Sequence, residues 1–208
     1  MGFEYNLKDL HFPGERKKKK NTKSEYTLPG EKKKSETSIW REVLDYVFIV
    51  LAAMFIGYLI DHVLITNAFV PTGSMESTIH AGDRIIGNRL AYIRSEPQRG
   101  DIIIFPFPDN EAETYVKRII GMPGETVLIT DGKVYIDGSD TPLEEPYLKE
   151  PMNGSFGPYT VPENCYFVMG DNRNDSWDGR YWNNKFVSRN KIESKAVFAL
   201  FPQPRILH

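Results

Sequence analysis

The chain has 208 residues, 40% of them hydrophobic, enough for one domain of ordinary size with appendages. Its formal charge is only −2, so the folded part lacks the dense cationic face that phosphate binding needs, and nucleic acid is excluded as the main partner. Cys165 is the one cysteine, so there is no internal disulfide and the fold must rest on its core.

Residues 1–40 carry ten Lys/Arg against six acids, a balance of +4 that leaves −6 for the remainder. This lysine-rich tail reads as a solvated, disordered segment that can also contact anionic lipid. Val47 to Ile60 then follows without a charge and is extended by Val43-Leu44 and Val63-Leu64-Ile65. The pattern predicts a helix over about Val43 to Ile65 within an anchor at 41–66, with Asp45 and Asp61-His62 at the two interfaces. An amphipathic core helix is the competing reading. The apolar run starts too late for a removed leader, so a permanent anchor is expected. The neighbouring lysines predict a cytoplasmic N-terminus and an extracytoplasmic domain at 67–208.

Beyond the anchor, short apolar runs recur between turn residues: Arg84-Ile85-Ile86, Asp101 to Phe105, Tyr115 to Ile120, Thr126 to Thr130, Lys133 to Ile136, Cys165 to Met169 and Ala196 to Phe201. These predict a β-rich domain. Asp131-Gly132 between two of the runs predicts a tight hairpin. Prolines cluster between the runs, and residues 138–164 read as a long excursion. Cys165 borders the run Tyr166 to Met169 and reads as a packed small side chain, not a nucleophile.

Ser74 lies in Pro71-Thr72-Gly73-Ser74-Met75, and Lys117 follows 43 positions later in Tyr115-Val116-Lys117-Arg118-Ile119. A serine hydroxyl needs a base, and the four histidines sit poorly: His11 in the tail, His62 at the anchor's end, His80 close to Ser74 without a motif, His208 at the terminus. A lysine serves if burial among apolar side chains keeps its amine neutral, and a strand through Lys117 places Ile119 on its face and Val116 and Arg118 on the other. Gly73 permits close backbone approach, and the Thr72 hydroxyl with the Ser74 N–H fits an oxyanion hole. On the residues alone, Lys117 as an exposed strand lysine and Ser74 as a loop or capping serine remain open.

Four blocks in order carry a resemblance: Pro71 to Met75; Gly82-Asp83-Arg84-Ile85-Ile86; Arg99-Gly100-Asp101-Ile102-Ile103 leading to Tyr115 to Gly121; and Gly170-Asp171-Asn172-Arg173-Asn174-Asp175-Ser176-Trp177-Asp178-Gly179-Arg180. From about Arg41 to Pro202 the chain resembles a type I signal peptidase (leader peptidase) of the small, single-anchor bacterial kind. The resemblance implies a mainly β fold, a coiled antiparallel, barrel-like sheet after one transmembrane helix. It implies Ser74 as nucleophile, Lys117 as general base, Thr72 at the oxyanion hole, Ser176 bonded to the Lys117 amine, and Asp178 with Arg180 as a supporting ion pair. Val70, Ile85 and Val116 would line pockets for small residues of a signal peptide at −1 and −3. No metal or organic cofactor is needed, and the partners would be secretory preproteins and the lipid bilayer.

Three departures stand out. Ser77 occupies a position where the family commonly has proline, which would loosen the turn after Met75. Gly179 replaces a frequent serine, and the accessory region is reduced to little more than 138–164. Asn174, Ser176 and Asp178 imitate half a calcium loop, but position 12 falls on Lys185 where glutamate is required. A self-cleaving Ser-Lys protease of the SOS-repressor kind would need a DNA-binding helical domain, for which there is no pattern. A non-catalytic membrane-anchored β scaffold is the other alternative.

Overall fold

The computed structural model describes residues 36–208, so residues 1–35 of the lysine-rich tail lie outside the described residues, while its last five residues, 36–40, are not a disordered tail but the first turn and more of a helix. Helix α1, Glu36–Leu59, runs on through a π-helical turn, Ile60–Leu64. The segment has no proline, so its hydrogen-bond ladder can continue unbroken. Ile39–Leu64 is long and apolar enough to cross a membrane: 26 residues give about 39 Å at 1.5 Å per residue, against about 30 Å of hydrocarbon. Its large apolar side chains, Phe48 and Phe55 among them, are exposed around the helix. A core helix would bury one face, and none of this segment is buried.

Eleven strands follow: β1 Ile65–Phe69, β2 Arg84–Asn88, β3 Ile102–Phe107, β4 Asn110–Gly121, β5 Thr126–Thr130, β6 Lys133–Ile136, β7 Phe156–Thr160, β8 Cys165–Met169, β9 Phe186–Ser188, β10 Ser194–Phe201 and β11 Arg205–Ile206. The larger sheet has the order β1-β2-β10-β3-β4-β8-β9, with β11 on β10, and the smaller is β6-β5-β7. Every pairing is antiparallel. Bulges in β3/β4, β4/β8 and twice in β10/β2 bend and coil the larger sheet.

Seven of these strands coincide with the apolar runs of the sequence. β1 was concealed because Ile65 continues the apolar run of the anchor, and only its pairing with β2, from Ile65↔Asn88 to Phe69↔Arg84, makes it a strand. β7 lies inside the excursion, where Gly157 and Pro158 hide strand character, and pairs back onto β5. β9 and β11 are three and two residues long and carry no readable period.

β3 shows why the interior organises as it does. Its unbroken Ile-Ile-Ile-Phe run is buried on both faces. Ile102 and Ile104 join Val70, Met75, Ile79 and Ile85 in one core cluster, while Ile103 and Phe105 join Phe107, Ile119, Val168 and Trp182 in another. A third cluster, with Val127, Ile129, Val134 and Phe167, ties the smaller sheet to β4 and β8.

The β5–β6 hairpin closes with Thr130↔Lys133, and Asp131 (φ 48°) and Gly132 (φ 73°) both take the left-handed conformation of a type I′ turn. A Cβ on Gly132 would also overlap the backbone carbonyl of Met152. Gly132→Ala is therefore expected to cost about 1–3 kcal/mol, read as a lower urea midpoint at unchanged slope.

Candidate active site

The segment between β1 and β2 is closed at its base by Val70 N–H to Asp83 O (2.9 Å) and Gly82 N–H to Val70 O (2.8 Å). Within it Glu76 N–H bonds Gly73 O, and Thr78 and Ile79 N–H bond Met75 O. Met75 and Ile79 are fully buried, so the turn is plugged into the core on either side of its apex. Ser74 is left half-buried, facing a cleft of about 640 Å³ lined by Phe69, Val70, Thr72, Tyr115, Val116 and Lys117, with Glu113, Asp175 and Trp177 also on its wall.

β4 delivers Lys117 from the other side. Nζ lies 2.5 Å from Ser74 Oγ, and the lysine is 3% exposed. On the same face, Nζ is 5.5 Å from the Tyr115 ring centre, and Ile119 is fully buried. Burial pushes the amine down to about 8; Asp178 and Asp171 oppose the shift and Arg180 assists it. Both carboxylates are occupied by arginines. Asp171 is gripped by Arg118 Nε and Nη2 (2.8 and 2.7 Å) and by Thr78 Oγ1 (2.5 Å). Asp178 is gripped by Arg180 Nε and Nη2 (2.8 and 2.9 Å), and its Oδ2 also accepts from Gly170 N–H. The Asp178–Arg180 pair is completely buried.

Not every residue singled out from the sequence is brought to the dyad in the expected way. Ser176 is buried, but among the described residues its Oγ has no hydrogen-bond partner, so the bond to Lys117 implied by the resemblance is not formed. The hydroxyl is instead pressed against Gly170. Of the three pocket residues, Val70 and Val116 line the cleft, whereas Ile85 is fully buried in the core cluster they pack into. Thr72 lines the cleft in an exposed position. His80 bonds Glu76 (2.8 Å), and Cys165 lies at the start of β8, 3.8 Å from Ser188 Oγ. Of the would-be calcium ligands, Asn174 is engaged by Glu150, Pro151 O and Asn153 N–H, and Asp178 by Arg180.

The close approach expected at Gly73 is found elsewhere. Gly73 has no positive φ, and a Cβ there would reach only Glu76 Oε2 at 3.6 Å. Gly170 is the crowded position, where a Cβ would overlap both Ser176 Oγ and the Ser74 carbonyl. At Gly179 a Cβ would meet Lys185 O and Phe167 at 2.9 Å, so this backbone has closed over the space a serine would need. Ser77 has φ 91°, which a proline ring forbids, and its hydroxyl bonds Tyr147 O at 2.7 Å. The turn after Met75 is thus tied down, not loosened.

Asn172 was missed by the sequence reading: its N–H bonds Ser74 O (3.1 Å) and its Nδ2 bonds Gly73 O (3.0 Å). Arg173 was also missed; it spans Gly170 O and a buried Glu145. Only the polar density of the 170–180 segment hinted at either role.

A coiled antiparallel β domain thus sets a serine hydroxyl against a desolvated lysine amine. The chain belongs to the signal peptidase family, peptidase S26, whose model matches residues 40–201. It is 36% identical over 193 residues to signal peptidase I T of Bacillus subtilis strain 168, which covers 88% of this chain and 94% of that protein. It is 38% identical over 143 residues to a probable signal peptidase I-2 of Synechocystis, 66% of this chain and 64% of that relative's length. A crystal structure of a signal peptidase I from Enterococcus faecalis V583 is 39% identical and matches over 49% of this chain and 97% of its own, at a TM-score of 0.42.

The lowered Lys117 value gives a pH signature. Below pH 8 the amine is increasingly protonated and cannot accept a proton, so kcat/KM should fall about tenfold per unit on the acid side of a limb near pH 8. The unfolded chain holds the extra proton between pH 8 and 10.5, so the burial penalty is complete below pH 8 and fades as pH rises through that window. Lys117→Met should accordingly stabilise the fold at pH 7 by up to about 3 kcal/mol, with the gain shrinking toward pH 10.5 in urea titrations.

Proposed function

We propose that this protein is a membrane-bound signal peptidase that removes N-terminal signal peptides from exported preproteins through an acyl-enzyme on Ser74. The observation that carries the reading is the 2.5 Å contact between Ser74 Oγ and the buried Lys117 Nζ. When the amine is neutral, Ser74 Oγ–H donates to it, and the alkoxide character that develops allows attack on the scissile carbonyl. The Lys117 ammonium then gives its proton to the leaving amine, and the neutral amine next activates water to hydrolyse the ester. The Ser74 N–H and the Thr72 hydroxyl stabilise the tetrahedral oxyanion. The Asp178–Arg180 pair holds the loop that carries the buried Ser176.

Substrate geometry follows from the sheet. Residues 114–117 of β4 pair with β3 on one side, while β8 pairs with β4 only from Arg118 onward. The other edge of 114–117 is free beside the cleft, and an extended peptide adds there as a strand, with Val70 and Val116 shaping shallow pockets for small residues at −1 and −3 and Ile85 backing them. The chemistry requires no metal or organic cofactor. The anchor, with a cytoplasmic N-terminus, holds the domain at the outer membrane surface where the end of a signal sequence emerges, and converts the search into one of high local concentration.

Detergent-solubilised full-length protein should cut a preprotein bearing an A-x-A site after the second alanine. Ser74→Ala and Lys117→Ala should each lose at least about four orders of magnitude in kcat while keeping the fold. Cleavage that survives in either folded variant removes that residue from the mechanism. A wild-type protein inert on several such preproteins favours the non-catalytic scaffold.

A further inference from the structure

The segment between β6 and β7 does more than replace a larger accessory region. We propose that Tyr147 is a positioning residue that fixes the separation of Ser74 and Lys117 by gripping the elements that carry both. The inference rests on the Ser-Lys reading above and adds to it a residue that touches neither reacting atom.

Two contacts made by one residue carry the inference. The Tyr147 carbonyl accepts from Ser77 Oγ at 2.7 Å, and Ser77 lies three residues beyond Ser74 in the same turn. The Tyr147 ring covers the guanidinium of Arg118 at 4.0 Å, and Arg118 follows Lys117 directly on β4. Ser77 has φ 91°, a conformation that non-glycine residues hold only when their surroundings impose it. The hydroxyl bond to Tyr147 is such an imposition.

Tyr147 is itself held in place. Its OH donates to Glu145 at 2.7 Å, and Glu145 forms a buried ion pair with Arg173, whose Nε bonds Gly170 O. A second path closes the ring: Arg118 grips Asp171, Asp171 accepts from Thr78 in the Ser74 turn, and the adjacent Asn172 bonds Ser74 O. The Ser74 turn, the Lys117 strand and the 170–180 loop therefore meet at one half-buried tyrosine. Removing its ring bares one face of Arg118 and slackens the Ser77 bond. A displacement of about 1 Å at the reacting atoms is enough to cost on the order of a hundredfold in rate.

The test uses full-length, detergent-solubilised protein and an A-x-A preprotein, with kcat and KM measured separately. Tyr147→Ala and Ser77→Gly, the latter removing the hydroxyl while accepting φ 91°, should lower kcat roughly 10- to 100-fold with KM within about twofold. Tyr147→Phe keeps ring and carbonyl and should stay within about threefold of wild type in kcat, while the selective fall of kcat over KM in Tyr147→Ala is the readout that simple loss of packing does not predict. Folded Tyr147→Ala with wild-type kcat overturns the inference, and if that variant does not fold, Ser77→Gly with wild-type kcat overturns it instead. Equal losses in kcat and in substrate affinity also overturn it, since they report general loosening. Failure of the underlying reading is distinguishable: wild type would be inert, or Ser74→Ala would remain active.

Discussion

The proposed role of Lys117 as a base requires its amine to be kept out of water, and much of the β domain is arranged around its burial. Burial is the largest influence on the amine, and it must prevail over two carboxylates, Asp178 and Asp171, that would restore the proton. Burial outweighs them, with Arg180 assisting, and each carboxylate is held by an arginine in a two-pronged pair, Arg180 on Asp178 and Arg118 on Asp171. An arginine removed from either pair would leave a bare carboxylate acting on the lysine. In this sense the ion pairs limit how far the carboxylates restore the amine's proton, and the stability lost by burying a lysine is linked directly to the proposed chemistry.

Buried ion pairs are poor sources of stability, since desolvation offsets most of their attraction, but their geometry is demanding. Here the remaining hydrogen-bonding capacity is also used: Thr78 and Gly170 complete the carboxylates, and Arg173 O accepts from Arg180 Nη2. The result is a polar layer in which the 170–180 loop has few alternative arrangements. Through Asn172 that layer holds the carbonyls of Gly73 and Ser74, and through Arg173 and Glu145 it reaches the segment between β6 and β7. Gly170 fits because a side chain there would displace both Ser176 and the Ser74 backbone.

The cleft combines this rigid layer with an open strand edge. β8 leaves β4 at Arg118, one residue beyond Lys117, so the point where the sheet stops pairing is also the point where Lys117 meets Ser74. An extended substrate completing that edge would pass Ser74 Oγ in a fixed register, with side chains alternating toward and away from Val70 and Val116. The apolar helix before β1 suits such a task, because it is long and apolar enough to cross a membrane.

Much of this was legible in the residues. The apolar helix, seven of the strands and the Asp131-Gly132 turn follow from local pattern, because hydrophobic period and turn chemistry are properties of neighbouring residues, whereas the pairing of Ser74 with Lys117 comes only from the resemblance carried by four ordered blocks. The β1 strand, the return of β7 onto β5, the burial of Ile85 and the unpartnered hydroxyl of Ser176 depend on which distant segments meet, and no local period encodes that. The same holds for Tyr147, whose carbonyl and ring meet Ser77 and Arg118 across 70 and 29 positions of sequence. Sequence alone determined the kinds of group available and the elements that carry them. Tertiary structure decided the depth at which Lys117 lies and the contacts that hold it against Ser74, because desolvation and register are set by the whole packed sheet.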